Sequence, residues 1–315
     1  MVSGGEDVTM TNVAVAGLGD MGSGLARNLM AAGFAVRGFD PDERRMAAFE
    51  AAGGARAGAN DLGRDCDAAF VMVMNGAQAM EAVLGPDGSG GLAGAMNPGG
   101  IVVLTATVVP SEARALAARL QGTGLHLVDS PVSGGYPGAQ NGTLTMMAAG
   151  TDEVLERARP AMEAVSATIH RVGDEPGMGQ TVKACLQAIM GSVFSATFEA
   201  AALAAKAGVD GDVLHRVVST SSAGCGAVDT ALENIAARRF ERTGSSIHTM
   251  HKDLTIATGL AAELGVPLFT AAMAMQLFTA GRTKYPQADN WVVTRITEEI
   301  VGAELRGAAA GNGEA

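Results

Sequence analysis

In "GMGQTVKACLQ" a single lysine, Lys183, opens a stretch that carries no other charge and is mostly small or apolar as far as Phe198. Burying an ammonium in a helix of that composition is costly unless the group is paired or loses its proton. On a helix, Gln187 lies four residues further on, so its amide shares the face of Lys183. A position near a helix start, where the dipole disfavours a cation, combined with partial burial, would move such a lysine toward the range of a general base at neutral pH. The competing reading is a lysine that snorkels from a helix end and does no chemistry.

Two glycine-rich segments could supply ligands for that base to work on. "VAVAGLGDMGSG" sets Gly17, Gly19 and Gly22 at GxGxxG spacing, with Leu18, Asp20 and Met21 between them, after an apolar β-type run and before a helical one. That context turns a weak motif into a candidate dinucleotide turn, in which a diphosphate meets the amides of a helix N-terminus. Asp40 ends the following strand, where a carboxylate would bind the adenosine ribose and repel a 2′-phosphate. NAD is therefore expected over NADP. "DPDE" is also good turn and helix-cap chemistry, and Arg37, Arg44 and Arg45 lie nearby. The second segment, "DSPVSGGYPGAQNGTLTMMAAG", follows another strand. The Ser133 hydroxyl and the backbone amides of Gly134 and Gly135 could there form a nest for a carboxylate; a glycine-rich hairpin without a ligand is the alternative.

The elements that must position these groups fall into two halves. From Asn12 to about Gly173, short β-type runs ("NVAVAG", "FAVRGFD", "DAAFVMVM", "GIVVLT", "LHLVDS") alternate with helical ones such as "PSEARALAARLQGTG". This pattern predicts a parallel α/β sheet of the Rossmann type. After Gly173 the β signal stops, and "DGDVLHRVVSTSS", "SIHTMHKDLTIATGLAAELG" and "PLFTAAMAMQLFTAG" all read as helices. The expectation is a nucleotide-binding domain over residues 12–176 and an all-helical domain over residues 177–305. The first ten residues and the tail from Gly307 are expected to be disordered.

Bulk composition removes several function classes. The 315 residues carry a net charge of −11 and no basic cluster, which argues against nucleic acid and anionic membrane surfaces. Three separated cysteines and five histidines offer no zinc spacing, so no metal is expected, and reduced thiols suit a cytoplasmic setting. The uncharged stretch Ala184–Phe198 is too short and too polar to read as a bilayer span. For His251 the reading is a solvated helix histidine; for Trp291 the sequence does not decide between packing at a cleft rim and packing between subunits.

Taken in order, "GLGDMGSGLARNLMAAG", "DSPVSGGYPGAQNGTLTMMAAG", "GMGQTVKACLQ" and "HKDLTIATGLAAELGVPLF" resemble the four signature blocks of the β-hydroxyacid dehydrogenase family. The resemblance covers Asn12 to about Glu304. Through "VMVMNGAQAMEAVLGPDG" and "PGMGQTVKACLQ" it is strongest to the family's threonate-oxidising branch. It implies a Rossmann-type domain and an all-α domain with the active site between them, as in 6-phosphogluconate dehydrogenase. Lys183 is then the catalytic lysine, and Ser133, Gly134, Gly135 and Gln187 contact the substrate. Thr107, Met74 and Asn75 join the glycine turn and Asp40 in holding the cofactor, and Lys252 lies near both ligands, with Asp253 beside it. The implied activity is NAD-dependent oxidation of a small hydroxy acid, with an L-threonate-like four-carbon acid favoured, by a homodimer or homotetramer. Oxidation of 3-hydroxyisobutyrate, reduction of tartronate semialdehyde, imine reduction and non-catalytic NAD binding are the alternatives. Two departures bear on substrate: Gln187 stands where the family commonly has Asn, and "GRTKYPQADNWVV" departs from the usual pattern near the active-site rim.

Overall fold

The computed structural model describes residues 10–88 and 90–308. The chain divides into two compact units between Lys183 and Ala184. Elements of the first unit run β1 (Asn12–Ala16), α1 (Asp20–Ala31), β2 (Ala35–Phe39), α2 (Glu43–Ala51), β3 (Ala55–Arg56) and β4 (Ala68–Val71). They continue with α3 (Gly76–Leu84), α4 (Gly91–Ala95), β5 (Ile101–Leu104), α5 (Pro110–Leu120), β6 (His126–Asp129) and β7 (Val132–Ser133). The last are α6 (Gly135–Asn141), β8 (Leu144–Ala149), α7 (Asp152–Glu163) and β9 (Ser166–Gly173).

Among the described residues these strands form one sheet in the order β3-β2-β1-β4-β5-β6-β8-β7, with β9 paired to β8. Strands β1 to β6 pair in parallel, for example Val13 with Val36 and with Ala68. Alternation along each strand separates two cores. Val13, Val15, Phe70 and Val103 meet Leu25 and Leu29 of α1 and Met162 of α7 on one face. Ala14, Ala16, Val71 and Leu104 meet Val83 of α3 and Leu116 of α5 on the other. Burial on both faces is why these strands read as continuous apolar runs.

Parallel pairing does not extend to the far edge: β8 runs antiparallel to β6 and β7. The "SGGYPGAQNGTLTMMAAG" segment is thus a strand, a short helix and a second strand, where the sequence suggested a glycine-rich loop. Residues 134–143 are too few for a parallel crossover, which needs a dozen or more, so the chain must turn back. Residues 150–165 hold α7 and are long enough, and β9 accordingly pairs in parallel with β8.

The second unit is helical. Helix α8 (Met178–Lys206) begins in the first unit and continues through α9 (Gly211–Ser219), α10 (Gly226–Ala236), α11 (Ile247–Leu264), α12 (Phe269–Lys284), a 3₁₀ turn (Asn290–Val293) and α13 (Thr294–Val301). Phe194, Phe198, Leu232, Leu254 and Phe278 form its core with Trp291. Trp291 is buried there, edge-on to Phe194 with centroids 5.4 Å apart, and its indole N–H reaches Thr243 Oγ1 at 2.8 Å. It belongs to this core rather than to an exposed rim or subunit contact. By length and composition α8 could cross a bilayer, yet 44% of its most apolar window is buried within the protein. Of the segments expected to be disordered, only Met10, Gly307 and Ala308 lie within the described residues. Met10 packs on the first core, and the Gly307 and Ala308 amides donate to Ala236 O and Asp212 at 2.9 Å each.

Candidate active site

The glycine turn sits at the carboxyl end of β1, and each of its glycines has a different cause. Gly17 has φ +89°, and a Cβ there would lie 2.2 Å from Met72 O. A Cβ at Gly22 would fall 1.8 Å from Gly17 O. Both are demanded by the protein's own packing. Gly19 is not: φ is −66°, and the nearest atoms to a Cβ belong to the Arg45 guanidinium at 3.8 Å. Helix α1 also starts at Gly19 without a side-chain cap, whereas Asp42, Asn75 and Thr151 cap α2, α3 and α7. Space above Gly19 together with an uncapped helix N-terminus fits the diphosphate of a dinucleotide.

Asp40 is buried beside this turn. Its Oδ2 accepts the Leu18 amide at 2.8 Å and its Oδ1 accepts the Asp42 amide at 2.9 Å. Arg45 approaches both oxygens at 3.4 to 3.5 Å. Each carboxylate oxygen keeps lone-pair capacity for a ribose hydroxyl. The turn-forming and ribose-binding readings of "DPDE" are therefore compatible, with Asp42 as the actual cap of α2. At the end of β4, Asn75 caps α3 by accepting the Gln78 amide at 2.9 Å, and Met74 beside it is exposed. Asp20 is exposed and Met21 half-buried at the start of α1.

Three expected segments lie further along the sheet. The segment with Thr107 follows β5, Ser133 closes β7 ahead of the exposed Gly134 and Gly135, and Lys183 lies in the second turn of α8. The Thr107 segment and the start of α8 are tied together by Asp129 and Gln180, neither of which the sequence reading singled out. Asp129 Oδ2 accepts the amides of Gly177 at 2.7 Å and Gln180 at 3.3 Å, and Asp129 Oδ1 accepts Gln180 Nε2 at 2.8 Å. Gln180 also donates to Ala106 O at 3.1 Å and accepts the Val108 amide at 3.0 Å, so it grips both neighbours of Thr107. Burial pushes the Asp129 carboxyl above its ordinary range, opposed by the hydrogen bonds from Gln180 and from the amides at the start of α8.

Lys183 and Gln187 are both buried, one turn apart on α8. In the second unit Gln187 Nε2 donates to Asp253 Oδ2 at 2.5 Å, and Lys252 Nζ lies 3.0 Å from Asp253 Oδ1. Asp253 is thus a third residue to which the sequence reading gave no role. Its one signal was adjacency to Lys252 in "HKDL".

His251 is buried, not solvated. Arg282 donates to its Nδ1 at 3.2 Å, leaving the hydrogen on Nε2, which faces Thr279 Oγ1 at 3.2 Å. Burial, then the charges of Arg282 and His248, hold its pKa below the ordinary 6.5. Between the lowered folded value and 6.5 the unfolded chain binds a proton that the folded chain does not, so stability falls as pH drops below about 6.5. Urea midpoints at pH 7.5 and 5.5 should show this loss, and His251→Gln should reduce the difference. An unchanged difference in the variant would assign the loss to other groups.

Geometry of this kind defines a class, a Rossmann-type dinucleotide-binding fold followed by a helical unit, and similarity to known proteins narrows it. Residues 12–173 match the family model for the NAD-binding domain of 6-phosphogluconate dehydrogenase. Residues 177–296 match the one described as NAD-binding of NADP-dependent 3-hydroxyisobutyrate dehydrogenase. L-threonate dehydrogenase of Escherichia coli O6:H1 is 34% identical over 92% of this chain and 95% of its own length. The enzyme of that name from Cupriavidus necator is 36% identical over 95% and 99%. A crystal structure of 3-hydroxyisobutyrate dehydrogenase from Salmonella typhimurium superposes with a TM-score of 0.83 at 32% identity, covering 91% and 99% of the two chains. The chain belongs to the β-hydroxyacid dehydrogenase family and is an NAD(P)-binding oxidoreductase acting on hydroxy acids.

Proposed function

We propose that the protein is an NAD-dependent dehydrogenase of a polyhydroxylated four-carbon acid, L-threonate or a close analogue, with Lys183 as general base. The carrying observation is the buried Lys183–Gln187 pair on one helix face, with the Gln187 amide held by Asp253. When bound, NAD supplies the acceptor for the hydride that leaves the carbinol carbon. Lys183 takes the hydroxyl proton as that carbon is oxidised, and returns it in the reverse direction. Gln187 meets a hydroxyl next to the reacting one, its orientation fixed from behind by Asp253. The Ser133 hydroxyl and the Gly134 and Gly135 backbone hold the carboxylate, and Lys252 adds positive charge near it. Gly19, the first turn of α1, Asp40, Met74, Asn75 and Thr107 hold the cofactor.

Gln187 supports the four-carbon acid because it carries the amide of an asparagine on a longer stem, which suits a second hydroxyl better than the methyl of 3-hydroxyisobutyrate. Exposed Ile189, Leu203, Phe269 and Met273 on the helical unit support a homodimer or homotetramer. Light scattering that returned a monomer mass would overturn that part. A cytoplasmic setting is supported by the three unbonded cysteines.

The test is a panel of L-threonate, D-glycerate, L-serine and 3-hydroxyisobutyrate with NAD⁺ and NADP⁺ in parallel, plus a cyclic imine with NADPH. L-threonate with NAD⁺ should show the highest kcat/KM, by about tenfold or more, since one well-made hydrogen bond is worth that much discrimination. Faster oxidation of 3-hydroxyisobutyrate would make the substrate assignment wrong, and turnover of the imine alone would remove the dehydrogenase reading.

A further inference from the structure

We propose that Asp129 and Gln180 form a buried strut that positions Lys183 relative to Thr107 and the substrate-carboxylate segment. This rests on the reading of Lys183 as the base. The two residues are positioning groups and make no contact with the reacting atoms.

Asp129 is fully buried at the end of β6, three residues before Val132 opens β7. A carboxylate there, with no water to solvate it, persists only where donors are concentrated on it. The structure supplies them from the first turn of α8: the Gly177 amide, the Gln180 amide and the Gln180 side chain. Helix starts are ordinarily capped by a neighbouring Ser, Thr, Asn or Asp. Here the cap comes from a strand 51 residues away in sequence from Gln180. The helix start can reach that strand because residue 179 is glycine. A Cβ there would lie 2.6 Å from both Asp129 O and Met147 O.

Gln180 extends the tie in the other direction. Both hydrogens of its amide are used, on Asp129 Oδ1 and Ala106 O, and its oxygen accepts the Val108 amide. One side chain therefore fixes the residues on either side of Thr107, the strand leading to Ser133, and the helix turn that presents Lys183. Lys183 follows Gln180 by three residues on the helix, so a shift of Gln180 carries Lys183 with it. An apolar side chain of the same length would fill the space equally well but would bind none of these groups. The arrangement thus does more than pack the interior: it sets the register between a base and two ligand-holding segments.

Three variants test it: Gln180→Met, which keeps shape and removes the side-chain bonds; Asp129→Asn, which opposes an amide donor to donors; and the double variant Asp129→Asn/Gln180→Glu. The double variant exchanges the amide and the carboxylate between the two positions, so the total charge is unchanged. The amide introduced at position 129 can donate to the carboxylate introduced at position 180, and its oxygen can still accept the backbone amides. That carboxylate can in turn still accept the Val108 amide, although Ala106 O loses its donor and faces a second acceptor, so recovery is partial. Each variant is assayed with L-threonate, L-serine and 3-hydroxyisobutyrate, alongside NADH binding by fluorescence and backbone hydrogen exchange of the apoprotein. Misplacement of about 1 Å should cost Gln180→Met roughly 10- to 100-fold in kcat, with KM and the NADH Kd held within about threefold. Exchange should quicken at Val108 and Gly177, and the double variant should regain at least about threefold in kcat over Asp129→Asn, by restoring a misplaced base. Gln180→Met with wild-type kcat, or a kcat loss without faster exchange at Val108, would each overturn the strut. Should Asp129→Asn fail to fold, Gln180→Met alone decides through the kcat and exchange comparison. Lys183→Ala measured in parallel separates the two readings: if it stays active, the base assignment has failed and the strut has nothing to position. If it is inactive while Gln180→Met behaves as wild type, only the strut has failed.

Discussion

Lys183→Ala should lower kcat by about 10² to 10⁴-fold while leaving the NADH Kd within about threefold, the span expected when a positioned general base is lost. The two parts of that result come from different places in the fold. The dinucleotide turn, Asp40 and the uncapped start of α1 lie at the ends of β1 and β2, where Asp40 is bonded to the Leu18 and Asp42 amides. Removing the amine should therefore leave the cofactor's diphosphate and adenosine contacts in place. Lys183→Arg should not restore activity, because a guanidinium keeps its proton and cannot act as the base. An exogenous primary amine of the right size should restore part of it to Lys183→Ala. Stopped-flow measurement of NADH appearance at saturating NAD⁺ checks the kcat component directly. Retention of more than about a tenth of wild-type kcat would remove Lys183 from the reaction, because a lost base costs at least tenfold more than that. Such a result would favour the snorkelling reading that its sequence position alone suggested.

How far the sequence revealed this depends on the range of the interaction involved. β1 and the GxGxxG turn were legible because strand, turn and helix are contiguous, and Gly17 and Gly22 are fixed by atoms close by in the fold. The helical second unit was legible from the loss of period-two patterning after Gly173. The antiparallel edge was not, because "TLTMMAA" is a strand only by virtue of pairing with β7 and β9 across short and long connections. Within the site, Lys183 and Gln187 stood out as polar residues on an apolar helix. Asp129 and Gln180 did not: each looks ordinary locally, and their significance lies in bonds spanning 48 to 74 residues of sequence. The role of Asp253 was hidden for the same reason, its partner Gln187 being 66 residues away. His251 was misread as solvated although it shares the buried stripe of Ile247, Met250, Leu254 and Ala257 at i, i+3, i+4 and i+7 spacing, a signal the sequence does carry.

Asp40→Asn should shift cofactor preference toward NADP⁺, raising the ratio of kcat/KM for NADP⁺ to that for NAD⁺ by roughly 10- to 100-fold. The argument is electrostatic and local. A 2′-phosphate on the adenosine ribose would approach a carboxylate that is already anchored by the Leu18 and Asp42 amides and cannot swing away. Two like charges about 4 Å apart at an effective dielectric near 20 repel by about 4 kcal/mol, and partial solvent exposure at the ribose reduces this to about half. The asparagine oxygen can still accept the Leu18 amide, so that anchor of the glycine turn is kept while the charge and the bond to the Asp42 amide are lost. Arg45, half-exposed and now held 3.4 Å from Asp40, is then released to meet the phosphate. Adding Arg45→Ala to Asp40→Asn should accordingly cancel most of the gain with NADP⁺ and leave NAD⁺ kinetics little changed, because a neutral ribose hydroxyl has no use for the guanidinium. Steady-state kinetics with both cofactors on the wild type and the two variants separates these contributions. If the wild type already prefers NADP⁺, Arg45 outweighs Asp40 at the ribose and the assignment of NAD is reversed. If Asp40→Asn leaves the ratio unchanged, Asp40 serves only to hold the Leu18 and Asp42 amides, and selectivity resides elsewhere on the turn.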